Sequence, residues 1–388
     1  MGTVLNYLEK YGKYTFAEMP MTEVDSLALC QLSYLKFDGM VSEEGEPVIL
    51  KSLREHPDYE KLFADVRYEK VNRALLEEMI QSRRFGHMKL NYYVNVIEEK
   101  WETQFSAVTC FPDEEIVYVV FRGTDETIVG WKEDFNMAFL SPVPGQEYSV
   151  RYLESVTGKF EGPFYVGGHS KGGNLAVYSA MNAAPHIQDR IIRIYSMDGP
   201  GFRPEVLEKC GYDKIAEKVV KILPNSSLVG MIFESDMHFQ VVKSNTFGLL
   251  QHDPYTWQVT GNHLVRANDL YERRKEMDNN LNQWILSLDE QQLRTFVDTL
   301  YHVITASKAD NLIDFTAEWR RSMNGIIGAL KQVDEETVKM LKEMVRSLFE
   351  IARANRKRQI AAKTEGAWNL LTQKQKPEKQ NKSKPSPL

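Results

Sequence analysis

Between Phe164 and Tyr178 the chain passes from an apolar run, Phe164-Tyr165-Val166, through Gly167-Gly168-His169-Ser170-Lys171-Gly172-Gly173 into the helix-forming stretch Asn174-Leu175-Ala176-Val177-Tyr178. A strand must therefore turn into a helix over very few residues, with Ser170 at the vertex. Gly168 and Gly172 flank the serine where a Cβ would meet the neighbouring strand or helix, and Gly173 lets the helix pack close behind. Such a turn pushes the Ser170 hydroxyl out over the sheet edge, as a nucleophile requires. The same pattern without its strand and helix would be no more than a glycine-rich turn with an exposed serine.

A nucleophilic serine needs an acid and a base, and the chain order Ser…Asp…His of the α/β-hydrolase fold directs the search downstream. The β-branched run 191–197 ends in Asp198-Gly199-Pro200-Gly201-Phe202, which sets an aspartate at the C-terminal end of a strand. Open α/β sheets put functional residues there, although Asp-Gly also begins ordinary turns. The rival strand, 218–223, ends in Pro224-Asn225-Ser226-Ser227 and offers no carboxylate, so Asp198 is the candidate acid.

Eight histidines compete for the base. His56, His87 and His302 lie in helical or charged surface stretches, and His186 follows Pro185 in a loop. His169 adjoins the serine but is expected to point away from its hydroxyl. His252, in Gln251-His252-Asp253-Pro254, follows the strand-like run 239–243, where this fold delivers its base. His238 precedes that strand, at the opposite end of the sheet. His263 lies beyond a further extended segment, 255–259, and is the competitor to His252.

Acyl transfer also builds negative charge on a former carbonyl oxygen, and preorganised N–H donors stabilise it. The strong strand 115–121 ends in Arg122-Gly123-Thr124-Asp125. Thr124 is the candidate donor from that loop, by its N–H and with its hydroxyl in reserve, and the N–H of Lys171 is the other. Thr124 or Asp125 also suits the cap of a helix holding Trp131, a role compatible with the first.

These blocks resemble known ones. Val120-Phe121-Arg122-Gly123-Thr124 with Trp131-Lys132-Glu133-Asp134-Phe135 looks like the oxyanion-loop block of class 3 lipases, and Gly168 to Ala176 resembles their elbow. The nearer resemblance is to a bacterial, Mbeg-like family of lipase-like proteins. It shares Gly-His-Ser-Lys-Gly-Gly-Asn-Leu-Ala, Asp-Gly-Pro-Gly-Phe and Gln-His-Asp-Pro-x-x-Trp, and the similarity runs from about Asn6 to the helices near Trp319. Two departures from the true lipases stand out. Lys171 replaces the elbow leucine and brings a cation beside the site, at odds with a greasy triglyceride. The carboxylate usual after the penultimate strand is missing, which moves the acid to Asp198. Lys171 is expected either to pair with a carboxylate such as Asp125 or Asp198, or to attract an anionic substrate.

Composition sets outer limits. The 388 residues hold one large hydrolase domain plus a helical appendage, and 43% hydrophobic with 26% charged residues is an ordinary globule. A net charge of −6 argues against nucleic acid. The first ten residues read as no secretory signal, Asn6 stands where myristoylation wants Ser or Thr, and no apolar run reaches membrane-spanning length. Cys30, Cys110 and Cys210, few and widely spaced, fit free thiols in a reducing, cytoplasmic setting. No Cys/His cluster or phosphate loop points to a metal or nucleotide, so no cofactor is expected.

The organisation follows. Residues 1–104 read as a helical entry segment, including the periodic run 22–32. Residues 105–262 read as the α/β-hydrolase core, opening with a hairpin turned at 112–115 and continuing as a mostly parallel sheet. A helix is expected over 148–153, after a loop, 141–145, too short and polar for a large lid. Residues 263–371 read as helices, one opened by a capping box at Ser287 and one by Asp334-Glu335-Glu336. The apolar stripe of the second reads as core or docking surface, and its basic end leaves membrane-surface contact open. Residues 372–388 read as a disordered tail. The expectation is a serine hydrolase acting on a small acyl ester through Ser170, Asp198 and His252. A thioesterase or amidase with the same groups, and a silent hydrolase-fold binding module, are the alternatives. Oligomeric state is left open.

Overall fold

The computed structural model describes residues 1–267, apart from 65, 67, 99–102, 125–141, 226, 228, 233–237 and 247. The helices expected from Ser287 and Asp334, the helix holding Trp131 and the tail from 372 lie outside the described residues, as does residue 141 of the loop expected over 141–145, whose Pro144 and Gly145 instead open a helix.

The entry segment supplies helices α1 (Val4–Tyr11), α2 (Glu23–Leu32) and α3 (Glu69–Gln81). Thr22 caps α2, its hydroxyl accepting from the Asp25 N–H at 3.2 Å while Asp25 Oδ2 accepts from the Thr22 N–H at 2.8 Å. Asp25 also takes the guanidinium of Arg84 on both oxygens, each at 2.6 Å, and the Tyr7 hydroxyl at 2.7 Å. This wholly buried pair is a charge-assisted fork, and the remaining Arg84 donors go to the carbonyls of Tyr14, Thr15, Met19 and Pro20.

The segment is not helical throughout. Val48–Ile49 (β1) and Lys89–Glu98 (β2) are strands, which corrects the reading of the first hundred residues. Tyr92, Val94 and Val96 face one side of the sheet, and a bulge between Asn91 and Val94, with Tyr92 at φ +56°, shifts the pleat so that Leu90 shares the opposite face with Tyr93. The hairpin then joins β3 (Thr103–Phe111) to β4 (Tyr118–Phe121), with Asp113 Oδ1 accepting from the N–H groups of Glu115 and Ile116 in its turn.

After β4 come α4 (Pro144–Thr157), β5 (Phe164–His169), α5 (Lys171–Asn182), α6 (Pro185–Arg190), β6 (Ile191–Met197), α7 (Pro204–Cys210), β7 (Val219–Pro224) and β8 (Phe239–Val242). The eight strands lie in sequence order, antiparallel from β1 to β4 and parallel from β4 to β8. Parallel neighbours need crossovers, and the helices that provide them cover the sheet.

The pleat divides the core in two. From β4, Tyr118 and Val120 face α1, α2 and α3, whereas Val119 and Phe121 face α4 and α5. With both faces covered, β4 has no polar side and reads as an unbroken apolar run. The result is the α/β-hydrolase architecture, its parallel half presenting the C-terminal ends of β4, β5 and β6 along one edge.

Candidate active site

That edge carries the elbow. β5 lies between β4 and β6, with Gly168 level with Phe121 on one side and Ser196 on the other. A Cβ on Gly168 would overlap the Gly172 carbonyl and come within 2.7 Å of Phe121 O, and one on Gly172 would overlap Phe121 O. Only glycine permits strand and helix to approach so closely. Ser170 takes φ +57° and ψ −130°, which an L-residue adopts only under constraint. The constraint is visible: its N–H donates to Met197 O at 2.9 Å, extending the β5–β6 ladder into the turn.

Ser170 stands at the N-cap of α5 but makes no cap bond with its side chain. Its Oγ faces His252 Nε2 at 2.9 Å instead. His252 Nδ1 lies 2.6 Å from Asp198 Oδ2. A carboxylate only accepts, so Nδ1 carries the proton, and in the neutral ring Nε2 then accepts from the Ser170 hydroxyl. Asp198 is wholly buried, His252 keeps 14% of its side chain exposed, and Ser170 is 8% exposed. A solvent-reached serine and imidazole thus back onto a dry carboxylate.

Asp198 also sits at positive φ, +50°, and its N–H extends the ladder by donating to Ile222 O at 2.8 Å. Its second oxygen accepts from the Ser227 hydroxyl, which in turn accepts from the Gly230 N–H at 3.0 Å. The segment after β7, set aside for want of a carboxylate, therefore supplies the hydroxyl that holds Asp198.

His252 ends a 3₁₀ turn, Gly248–His252. Trp257 Nε1 donates to Gln251 O, and Gln251 Nε2 to Thr246 O, both at 2.7 Å. Asp253 caps a second 3₁₀ turn, Pro254–Thr256, where extended chain had been expected. The Gln-His-Asp-Pro-x-x-Trp block is thus a set of braces around the imidazole. His263 is exposed on the short strand β10 (His263–Leu264), paired with β9 (Val259–Thr260). His238 is exposed immediately before β8, opposite the elbow edge.

Thr124 follows β4 by three residues, on the same edge as Ser170. The Lys171 side chain runs elsewhere than expected. It is 1% exposed, and Nζ donates to Gln104 O and Oε1 on β3 at 2.7 and 2.6 Å. A cation so buried is not presented to a substrate, which corrects the notion of a charge steering anions at the mouth of the site. Of its two suggested carboxylate partners, Asp198 turns its oxygens to Ser227 and His252, and Asp125 lies outside the described residues.

Asn174 ties the elbow to its surroundings. Its amide donates to the carbonyls of Pro200 at 3.2 Å and Gly201 at 3.1 Å, and its oxygen accepts from Gln146 Nε2 of α4 at 2.9 Å. Cys30 and Cys110 are buried free thiols and Cys210 is a half-buried one; burial pushes the Cys30 thiol up to about 12. Among the described residues no group of three His, Cys, Asp or Glu is placed to hold a metal ion, and no helix is long and apolar enough to cross a membrane.

The family model described as Mbeg1-like matches residues 79–302, more than half of the chain. The chain belongs to the Mbeg1-like family. In the Mbeg1-like fold seen here, the elbow, Asp198 and His252 all fall within the matched span. No curated protein matches the chain. Among solved structures, lipase II from Rhizopus niveus is similar over 58% of this chain and 90% of its own length, at 13% identity and a TM-score of 0.29.

Proposed function

We propose that this chain is a serine hydrolase that cleaves a small acyl ester through a covalent acyl-enzyme. The observation that carries the reading is the continuous relay Ser170 Oγ, His252 Nε2, His252 Nδ1, Asp198 Oδ2, closed at 2.9 and 2.6 Å and mounted on a strained turn. Proton positions follow from the acceptor-only carboxylate. As Ser170 Oγ attacks the ester carbonyl, its proton passes to His252 Nε2, and Asp198 holds the imidazolium that forms. The tetrahedral oxyanion would lie near the N-terminus of α5, where the Lys171 N–H and that of Thr124 are our assigned donors. The imidazolium then gives its proton to the leaving alkoxide. Water, deprotonated by the same His252, attacks the acyl-enzyme, and the acid product and free Ser170 are regenerated.

No metal or redox group enters these steps. Steady-state hydrolysis of p-nitrophenyl esters of graded chain length tests the reading. Ser170→Ala should lower kcat by roughly 10⁶ at unchanged thermal stability, since loss of a triad nucleophile removes the covalent route. Wild-type turnover by Ser170→Ala would refute it, and turnover of thioesters or anilides in preference to esters would move the substrate class while keeping the machinery.

A further inference from the structure

His169 was set aside as a base because it points away from the Ser170 hydroxyl, and the direction in which it points is informative. Its Nε2 lies 2.9 Å from the backbone carbonyl oxygen of His252. A carbonyl only accepts, so Nε2 bears the proton and donates. In the neutral ring Nδ1 is then an acceptor, and the Tyr34 hydroxyl, 2.8 Å away, supplies the donor. The two imidazole rings lie 4.7 Å apart, centroid to centroid, at 35°. His169 itself is 6% exposed.

We infer that His169 is a positioning residue for His252, with Tyr34 setting its tautomer; the inference rests on the hydrolase reading above. His252 arrives on a loop more than eighty residues along the chain from Ser170; Gln251 and Trp257 brace that loop within itself, and the His169 bond ties its main chain to the elbow. His169 is covalently bonded to Ser170, so its hydrogen bond fixes the main chain of the base through a path one residue long. The nucleophile and the base are joined twice, ring to hydroxyl and backbone to neighbour.

Tyr34 brings a second element into register. A Cβ on Gly123 would overlap the Tyr34 hydroxyl and approach His169 O at 2.6 Å, so one phenol touches both the loop bearing Thr124 and the residue before the nucleophile. Tyr34 lies two residues beyond α2 and outside the span matched by the family model. The entry segment therefore acts on the site as well as on the core.

Three variants test this on the full chain. His169→Phe keeps a ring and loses the donor, His169→Gln keeps a donor near Nε2, and Tyr34→Phe removes only the hydroxyl. On a p-nitrophenyl ester, His169→Phe should lower kcat roughly 10- to 100-fold with KM nearly unchanged, because misplacing the base costs rate rather than binding. His169→Gln should recover most of the loss, and Tyr34→Phe should fall between. The rate of Ser170 labelling by a fluorophosphonate should follow the same order, and the far-downfield proton resonance of the His252–Asp198 bond should weaken in His169→Phe. Wild-type kcat in His169→Phe, or equal losses in the Phe and Gln variants, overturns the inference while leaving the hydrolase reading standing. A wild-type chain inert to both ester and fluorophosphonate removes that reading, and this inference with it.

Discussion

At the scale of single residues, the site is a matter of which hydroxyl faces which acceptor. Asp198 is buried and spends one oxygen on His252 and the other on Ser227. Hydrogen bonds to a charged group are worth about 1.5–3 kcal/mol, so Ser227→Ala should lower kcat roughly tenfold as the carboxylate loses its second tether. Asp198→Asn should cost far more, roughly 10⁴ in kcat, because an amide leaves His252 without an acceptor that enforces the working tautomer. Parallel kcat measurements on one ester check the ranking. Equal losses in the two variants would mean that Ser227 does more than orient. Ser170, Asp198 and His252 each carried a local signal, a glycine-flanked turn or a loop just beyond a strand, and the structure brings all three together. Ser227 and Tyr34 carried none: their partners stand 29 and 135 residues away, and only the fold makes them neighbours.

At the scale of elements, the elbow works because α5 is locked against both the sheet and the next loop. Asn174 makes the second lock, joining α5 to Pro200, Gly201 and α4 through one amide. Replacing it by alanine leaves buried carbonyls and the Gln146 amide without that partner, at about 1–3 kcal/mol. Asn174→Ala should therefore lower the Tm by several degrees and reduce activity, since the loop released is the one that follows Asp198. Calorimetry beside an ester assay checks both, and an unchanged Tm would show that the tie is dispensable. The hairpin, the elbow helix and the run of parallel strands were legible, each written in a period or in a turn residue. β2 was passed over because the helical period of 22–32 set the reading of the whole segment, and the bulge between Asn91 and Val94 breaks the strand's own two-residue period. The direction of Lys171 was not legible at all. Its place beside Ser170 in the chain suggested a charge at the site, whereas the helix it starts turns the side chain back against β3.

At the scale of the molecule, an eight-stranded sheet with helices on both faces collects the C-terminal ends of β4, β5 and β6 on one edge, where Ser170 and Asp198 both stand at positive φ. Membership of the Mbeg1-like family covers the elbow, Asp198 and His252, and the entry segment outside the matched span reaches the same edge through Tyr34. Everything proposed for this chain depends on one property, a Ser170 hydroxyl made nucleophilic by His252. Mass spectrometry of the intact chain after exposure to a fluorophosphonate, followed by peptide mapping, tests that property without knowledge of the substrate. A single adduct on Ser170 is expected in the wild type and none at the same exposure in His252→Ala; no adduct on Ser170, or one formed equally fast without His252, would contradict a nucleophile activated by that imidazole.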